Sequence, residues 1–267
     1  MNYNENREDR FDISIIIPTY NEKDNIEILL GRIHENLKNF HYEVIIVDDD
    51  SPDRTAQKVQ ELSFKYPVKC IVRKNEKGLA TAVVEGFKHA KGEIFVVMDS
   101  DLQHPPEKIK YLIEEINRGS DIAVGSRYVD KNGDGFGEFS PTRKIISKSA
   151  NILAKTLFSK LSKVDDIQSG FFALKKNVVQ NIDLEPKGYK ILLEILVIGN
   201  YKIVKEVPFV FEKRKNGQSK LKTRVIFDYL MHLISLFWKE KETNRVTKFI
   251  STGLAGIKNR DSDKNVL

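Results

Sequence analysis

Along its first half the chain alternates short apolar runs with longer stretches whose apolar residues recur every three or four positions. Ile13-Ser14-Ile15-Ile16-Ile17 meets the polar break Pro18-Thr19-Tyr20-Asn21-Glu22, and Ile26, Leu29, Leu30, Ile33 and Leu37 follow. The run has the length and branched content of a buried strand, and the later residues have the spacing of one helix face. The unit then recurs. Glu43 to Val47 runs into Asp48-Asp49-Asp50-Ser51-Pro52-Asp53 and a helical stretch with Ala56, Val59 and Leu62. Lys69 to Arg73 leads through Asn75-Glu76-Lys77-Gly78 to the stripe Leu79, Ala82, Val83, Gly86, Phe87 and Ala90. Ile94 to Met98 precedes Ile109, Leu112, Ile113 and Ile116, and Ile122 to Ser126 ends in Arg127 and Tyr128.

Strands alternating with helices predict an α/β, Rossmann-like architecture, a mostly parallel sheet with helices on both faces. Ligands of such sheets lie outside the carboxyl ends of the strands. Three of those ends are loaded: Tyr20 with Glu22, Asp48 with Asp49, and Asp99 with Asp101. The last is the most informative. Val96-Val97-Met98-Asp99-Ser100-Asp101-Leu102-Gln103-His104-Pro105-Pro106 halts an apolar strand with two carboxylates, an amide and a double proline that forbids its continuation. Residues i and i+2 of an extended chain share a side, so Asp99, Asp101 and Gln103 are expected to converge. Their oxygens suit Mg2+ or Mn2+, which takes one or two carboxylates and completes its shell with water and substrate phosphate. The same composition also reads as an ordinary turn. His104 is expected to be a loop histidine satisfied by backbone rather than a base.

In the second half, Lys131 to Phe139 is a Gly-rich link to an amphipathic helix over residues 143–158. Ile146, Ala150, Leu153 and Leu157 form its stripe, with Lys144, Lys148 and Lys155 off it. Such a helix packs on its own protein or lies in a membrane interface, lysines towards head groups. Val164 to Leu174 reads as a loop entering a strand, Ile191 to Ile198 as a helix opened by Gly188-Tyr189-Lys190, and Lys202 to Val207 and Phe209 to Glu212 as further strands. The basic stretch Lys213 to Lys222 precedes Val225 to Trp238, apolar except for Asp228, His232 and Ser235 on one face. That helix is shorter than the roughly 20 residues needed to span a bilayer, so it is expected to be interfacial or buried.

With 267 residues, 40% of them apolar, the chain can bury one large core. A net charge of +6 invites nucleic acid, an anionic membrane or a phosphorylated substrate. No basic stripe is interleaved with aromatics, which speaks against nucleic acid. The single cysteine, Cys70, excludes a disulfide framework or multi-cysteine zinc site and fits a reducing compartment. Residues 1–10 lack the apolar core of a signal peptide, so export is not expected. The absence of Gly-x-Gly-x-x-Gly after the first strand and of Gly-x-x-x-x-Gly-Lys-Ser/Thr anywhere disfavours a dinucleotide dehydrogenase and a P-loop nucleotidase.

Six stretches in this order carry a family resemblance: Ile17 to Glu22, Val47 to Asp53, Met98 to Pro106, Gly125-Ser126-Arg127-Tyr128, Gln168-Ser169-Gly170-Phe171-Phe172-Ala173 and Arg214 to Leu221. Over about residues 11–240 the set resembles the family 2 glycosyltransferases, in particular the polyprenol (dolichol) phosphate mannose synthases among them. The resemblance implies a GT-A fold and inverting transfer of mannose from GDP-mannose to dolichyl (polyprenyl) phosphate. It implies that Pro18, Tyr20, Glu22, Val47 and Asp49 hold the guanosine, and that Asp99, Asp101 and Gln103, with Ser100 among the donor-site residues, bind the divalent metal on the diphosphate. Arg127, Arg214 and Lys220 would contact phosphates, and Arg143 and Ser147 would lie near the acceptor phosphate; Asp101, Arg127, Arg214 and Lys220 form the implied catalytic set. The chain departs from the family pattern at Ser100, where alanine is commoner, and at Asp50 and Arg54, where small or neutral residues are commoner.

The organisation expected is a flexible N-terminus over residues 1–10, a GT-A catalytic domain over 11–215, a basic acceptor loop with a membrane-interface helix over 216–242, and a tail over 243–267. In that tail Thr247 to Ile257 looks like a membrane segment cut short. A lipid acceptor places the protein peripherally on the cytoplasmic face of a membrane and leaves room for a separate membrane-embedded partner subunit. Two rivals stay open: a polyprenol phosphate glucosyltransferase using UDP-glucose, and a non-catalytic protein that binds a nucleotide sugar or a membrane.

Overall fold

The structure, a computed structural model, describes residues 11–128, 141–186, 190–212 and 229–241. Strand β1 (Ile13–Thr19) is buried at every position, as a strand covered on both faces must be. Its side chains divide by parity. Ile13, Ile15 and Ile17 join one apolar cluster with Ile26, Leu30 and Ile33 of helix α1 (Lys23–Leu37), whereas Ile16 joins a second with Ala82 and Val83 of α3 (Leu79–His89). Each isoleucine buried in this way contributes about 1.5–3 kcal/mol. Helix α3 comes closest at Gly86, where a Cβ would stand 2.3 Å from Ile16 Cγ2, so no larger residue fits.

The remaining elements are β2 (Tyr42–Asp48), α2 (Thr55–Leu62), β3 (Val68–Val72), β4 (Ile94–Val97), α4 (Ile109–Asn117), β5 (Ile122–Ser126), α5 (Pro141–Leu157), β6 (Phe172–Lys175), α6 (Ile191–Ile198), β7 (Val204–Pro208) and α7, residues 229–241. They form the predicted α/β architecture, a sheet of seven strands in the order β3-β2-β1-β4-β6-β5-β7. Helices α1, α2 and α4 cover one face, and α3, α5, α6 and α7 the other. A buried node locks β1 to β2: the Ser14 hydroxyl donates to Glu43 Oε1 at 2.7 Å, the Lys91 N–H donates to the same oxygen, and Lys69 pairs with Oε2 at 2.8 Å.

Strand β6 is the antiparallel member, and its register assembles the site. Phe172 pairs with Val97 at the carboxyl end of β4 and with Val124 near that of β5. Because β6 runs the other way, the loop that precedes it arrives at the rim where β4 and β5 leave off. β7 is parallel to β5 and pairs Pro208 with Ser126, so the chain after it reaches the same rim.

One expectation changes, and two helices take one of the arrangements left open. Phe209 to Glu212 is not a second strand after β7: its backbone instead donates from Phe209 to Ser126 and from Glu212 to Gln103, following the rim rather than a neighbouring strand. On α5 the buried positions are Asn151 and Ala154, with Phe158 just beyond; the expected stripe of Ile146, Leu153 and Leu157 is half exposed, and Ile145 and Ile152 are about two-thirds exposed, at 64% and 66%. On α7, His232 from the expected polar face is buried, its Nε2 3.5 Å from Glu194 Oε2 of α6, while Tyr229 donates to the Ala150 carbonyl at 2.9 Å. The expectations for residues 1–10, the Gly-rich link, Gly188 and Tyr189, the basic stretch 213–222 and the tail from 243 lie outside the described residues.

Candidate active site

Strand β4 ends at Val97, earlier than its apolar run suggests, and Leu102 has a left-handed backbone with φ 64°. Residues 99–103 are therefore not extended, and the i, i+2 argument is not what organises them. Hydrogen bonds do so instead. The Gln103 N–H donates to Asp101 Oδ1 at 3.1 Å, the Asp99 N–H donates to His104 Nδ1 at 3.0 Å, and the Ser100 hydroxyl donates to the Pro18 carbonyl at 3.3 Å. Asp101 and Ser100 are buried, while the Asp99 side chain is partly open. The loop before β6 closes over this turn: a Cβ on Gly170 would lie 3.3 Å from both Asp99 Oδ1 and His104 Cε1.

His104 is buried, stacked on Phe171 at 5.2 Å between centroids and edge-on to Phe209 and Phe211. Burial pushes its pKa down to about 4, more than the Asp101 carboxylate pulls it up. It is neutral, with Nδ1 accepting from backbone and the proton on Nε2, as expected for a structural loop histidine.

Gln103 Nε2 donates to the Glu212 carbonyl at 3.2 Å, so the amide oxygen occupies the opposite branch. Two carboxylates and an amide oxygen fit Mg2+ or Mn2+ completed by phosphate and water. Among the described residues no three His, Cys, Asp or Glu side chains are placed to hold an ion together.

Arg127, at the end of β5, forms a buried fork with Asp166 from the loop before β6: Nε to Oδ2 and Nη2 to Oδ1, both 2.7 Å, with the Arg127 N–H also donating to Oδ2 at 3.1 Å. Burial works against its charge, but the Asp166 carboxylate outweighs this and raises its pKa. Asp166 had no assigned role in the sequence reading; its signal is an acid two residues before the Gln168-Ser169-Gly170 motif.

The residues implied for the nucleoside sit at the ends of β1 and β2. Pro18 and Val47 are buried, and Tyr20 is 38% exposed, with the Lys77 ammonium 5.0 Å from its ring centroid. Glu22 accepts from Asn25 Nδ2 at 2.6 Å, and its N–H donates to the Thr55 hydroxyl. Asp49 is held from two sides: Oδ1 accepts from Arg73 Nε at 2.8 Å and from Nη2, and Oδ2 accepts the Gly78 N–H at 2.8 Å. Arg73 follows β3 directly, and its pairing with Asp49 becomes visible once β3 is placed beside β2. Asn21, Asp50 and Arg54 have φ between 55° and 68°, the left-handed region that residues other than glycine seldom adopt and in which Asn and Asp are enriched.

Ser147 lies on α5, its hydroxyl 3.2 Å from Tyr128 Oη. The structure thus gathers Asp99, Ser100, Asp101, Gln103, Arg127 and Ser147 around the ends of β4 and β5, with Pro18, Tyr20, Glu22, Val47 and Asp49 at the ends of β1 and β2. The Arg143 side chain, Arg214 and Lys220 lie outside the described residues.

Residues 14–183 match the family described as Glycosyl transferase family 2, and the chain belongs to that family, with a GT-A fold. Among its relatives, it is 54% identical over 245 residues to "Dolichol-phosphate mannosyltransferase" of Pyrococcus furiosus, covering 92% of this chain and 69% of that protein. It is 37% identical over 251 residues to the protein of the same name from Saccharomyces cerevisiae, covering 89% and 91%. The fold is shared with glucosyl-3-phosphoglycerate synthase from Mycobacterium tuberculosis, solved with Mn2+, uridine diphosphate and glucosyl-3-phosphoglycerate, at a TM-score of 0.65 and 17% identity over 86% of this chain and 80% of that one.

Proposed function

We propose that this enzyme transfers mannose from GDP-mannose to a dolichyl or other polyprenyl phosphate at a membrane surface, with inversion at the sugar carbon. The observation that carries the reading is the meeting of Asp99, Asp101, Gln103 and the Arg127–Asp166 fork at one rim of the sheet. The 54% identity to a protein named for this reaction supports it.

An acceptor phosphate oxygen attacks the anomeric carbon opposite the diphosphate, the bond to the diphosphate oxygen breaks, and the electron pair leaves with GDP. The acceptor is already an anion at neutral pH, so no side chain need remove a proton, in keeping with a neutral His104. Asp99, Asp101 and Gln103 would hold a divalent cation, which when bound would supply Lewis-acid stabilisation of the charge that develops on the diphosphate. Arg127, fixed by Asp166, adds a cation that need not reorganise. Arg214 and Lys220 contribute to the phosphates, Arg143 and Ser147 receive the acceptor, Ser100 belongs to the donor site, and Pro18, Tyr20, Glu22, Val47 and Asp49 seat the guanosine.

Ile145 and Ile152 of α5 and Met231, Ile234 and Trp238 of α7 are exposed on two helices joined by the Tyr229 hydrogen bond. Among the described residues no helix is long and apolar enough to cross a membrane. These side chains suit shallow insertion at the cytoplasmic face, beside a lipid acceptor and, in this reading, a membrane-embedded partner subunit. Residues 11–215 act as the catalytic domain, 216–242 as acceptor loop and interface helix, and 243–267 as the tail.

The test is incubation with Mn2+, a polyprenyl phosphate and labelled GDP-mannose or UDP-glucose, followed by counting of the organic phase. Label from GDP-mannose is expected. Label from UDP-glucose alone overturns the donor, and none from either favours a binding protein.

A further inference from the structure

Arg32, on α1, touches no residue of the motifs that mark the site, yet it holds two of the segments that frame it. Its Nε and Nη2 donate to Glu107 Oε1 and Oε2 at 2.9 and 2.7 Å, in the turn just after Pro105-Pro106. Its Nη1 and Nη2 donate to Glu212 Oε2 and Oε1 at 3.2 and 2.8 Å, on the chain that follows β7. One guanidinium thus makes a fork to each of two carboxylates, an arrangement a lysine ammonium cannot reproduce. Glu212 in turn grips the metal loop by its backbone: its N–H donates to the Gln103 carbonyl at 3.0 Å, and its carbonyl accepts Gln103 Nε2 at 3.2 Å. That second bond is what turns the amide so that its oxygen, the only atom of the side chain that takes a hard cation, lies on the opposite branch.

We propose that Arg32 is a positioning residue for the cation: by clamping Glu107, four residues after Gln103, and Glu212, whose backbone holds Gln103, it fixes the amide and so sets the affinity for the divalent ion. This rests on the assignment of Gln103 as a ligand made above. Glu107 and Glu212 would otherwise repel each other; an apolar cluster that includes Leu102, Phe209 and residues of α1 also packs these segments together, but Arg32 is the side chain that hydrogen-bonds both carboxylates. Groups that orient a ligand are worth roughly 10–100-fold in metal affinity.

The experiment measures Mn2+ binding in the presence of GDP, from the free-Mn2+ electron paramagnetic resonance signal, together with the melting temperature. It compares the full chain with Arg32→Met, Arg32→Lys, Gln103→Ala and the double variant Arg32→Met/Gln103→Ala. Arg32 is partly exposed, so these proteins are expected to fold. The expected result is a loss of Mn2+ affinity of about 10-fold in Arg32→Met. Arg32→Lys recovers little of it, because charge without the double fork is not enough. The double variant binds no worse than Gln103→Ala, because Arg32 acts through Gln103. Wild-type affinity in both Arg32 variants, or additive losses in the double variant, would overturn the proposal while leaving the cation site standing. Absence of Mn2+ binding by the unmodified protein would instead remove the cation site, and the role of Arg32 with it.

Discussion

Nε and Nη2 of Arg127 each lie 2.7 Å from a different oxygen of Asp166, which joins the end of β5 to the loop that enters β6. Both side chains are buried, 9% and 0% exposed, so neither has water to fall back on if its partner is lost. Asp166→Ala should therefore destabilise the fold by about 3–5 kcal/mol in urea unfolding, because it breaks a buried ion pair. A change under about 1 kcal/mol would show that solvent reaches Arg127.

Arg73 and Asp49 are coupled in the same way at the ends of β3 and β2, with both oxygens of the carboxylate engaged. Arg73→Met should cost about 3 kcal/mol of stability and weaken GDP binding, since Asp49 loses the donor that fixes its orientation. Calorimetric titration of GDP into folded Arg73→Met checks this; unchanged affinity would mean that Asp49 is structural only.

Glu43 sets a pH dependence away from the site. Burial alone would raise its pKa, but the Lys69 ammonium, the Lys91 N–H and the Ser14 hydroxyl outweigh burial and hold it below the usual carboxylate range. With the folded value depressed, the unfolded chain takes up this proton first as pH falls. The contribution is whole above about pH 4.5 and is lost as pH drops through the folded value. Glu43→Gln should show a flatter fall of unfolding free energy below that pH than the parent, measured by urea titration in acetate buffers; parallel curves would contradict it.

Ile152 and Trp238 are exposed at 66% and 63%, so changing either costs the core little. Ile152→Glu and Trp238→Glu should leave the melting temperature within a few degrees and reduce co-sedimentation with vesicles of phosphatidylcholine and phosphatidylserine. Undiminished co-sedimentation of both variants would exclude α5 and α7 as the lipid-facing surface.

Much of the sheet was legible because β-branched runs such as Ile13 to Ile17 bury both faces and leave no competing period. The carboxyl-end rule singles out Asp49, Asp99 and Asp101, which lie just beyond the ends of β2 and β4. What could not be read was long-range pairing. That Asp166 answers Arg127, or that Arg73 answers Asp49, follows from strand order and from the antiparallel entry of β6, and no local pattern encodes either. β4 ends one residue short of its apolar run: Met98 is buried and still donates its N–H to the Ile16 carbonyl, and the left-handed turn follows only at Leu102. On α5 the apolar stripe left two orientations open, since hydrophobicity alone does not say whether a helix looks inwards or towards lipid, and the structure turns Ile146, Leu153 and Leu157 outwards.

The most direct test is crystallographic, with Mn2+ and GDP bound and data collected at a wavelength where manganese scatters anomalously. An anomalous peak within coordination distance of Asp99, Asp101 and Gln103 oxygens, bridged to the diphosphate, is what the account predicts. A peak elsewhere, or a diphosphate bound away from the end of β4, would contradict it.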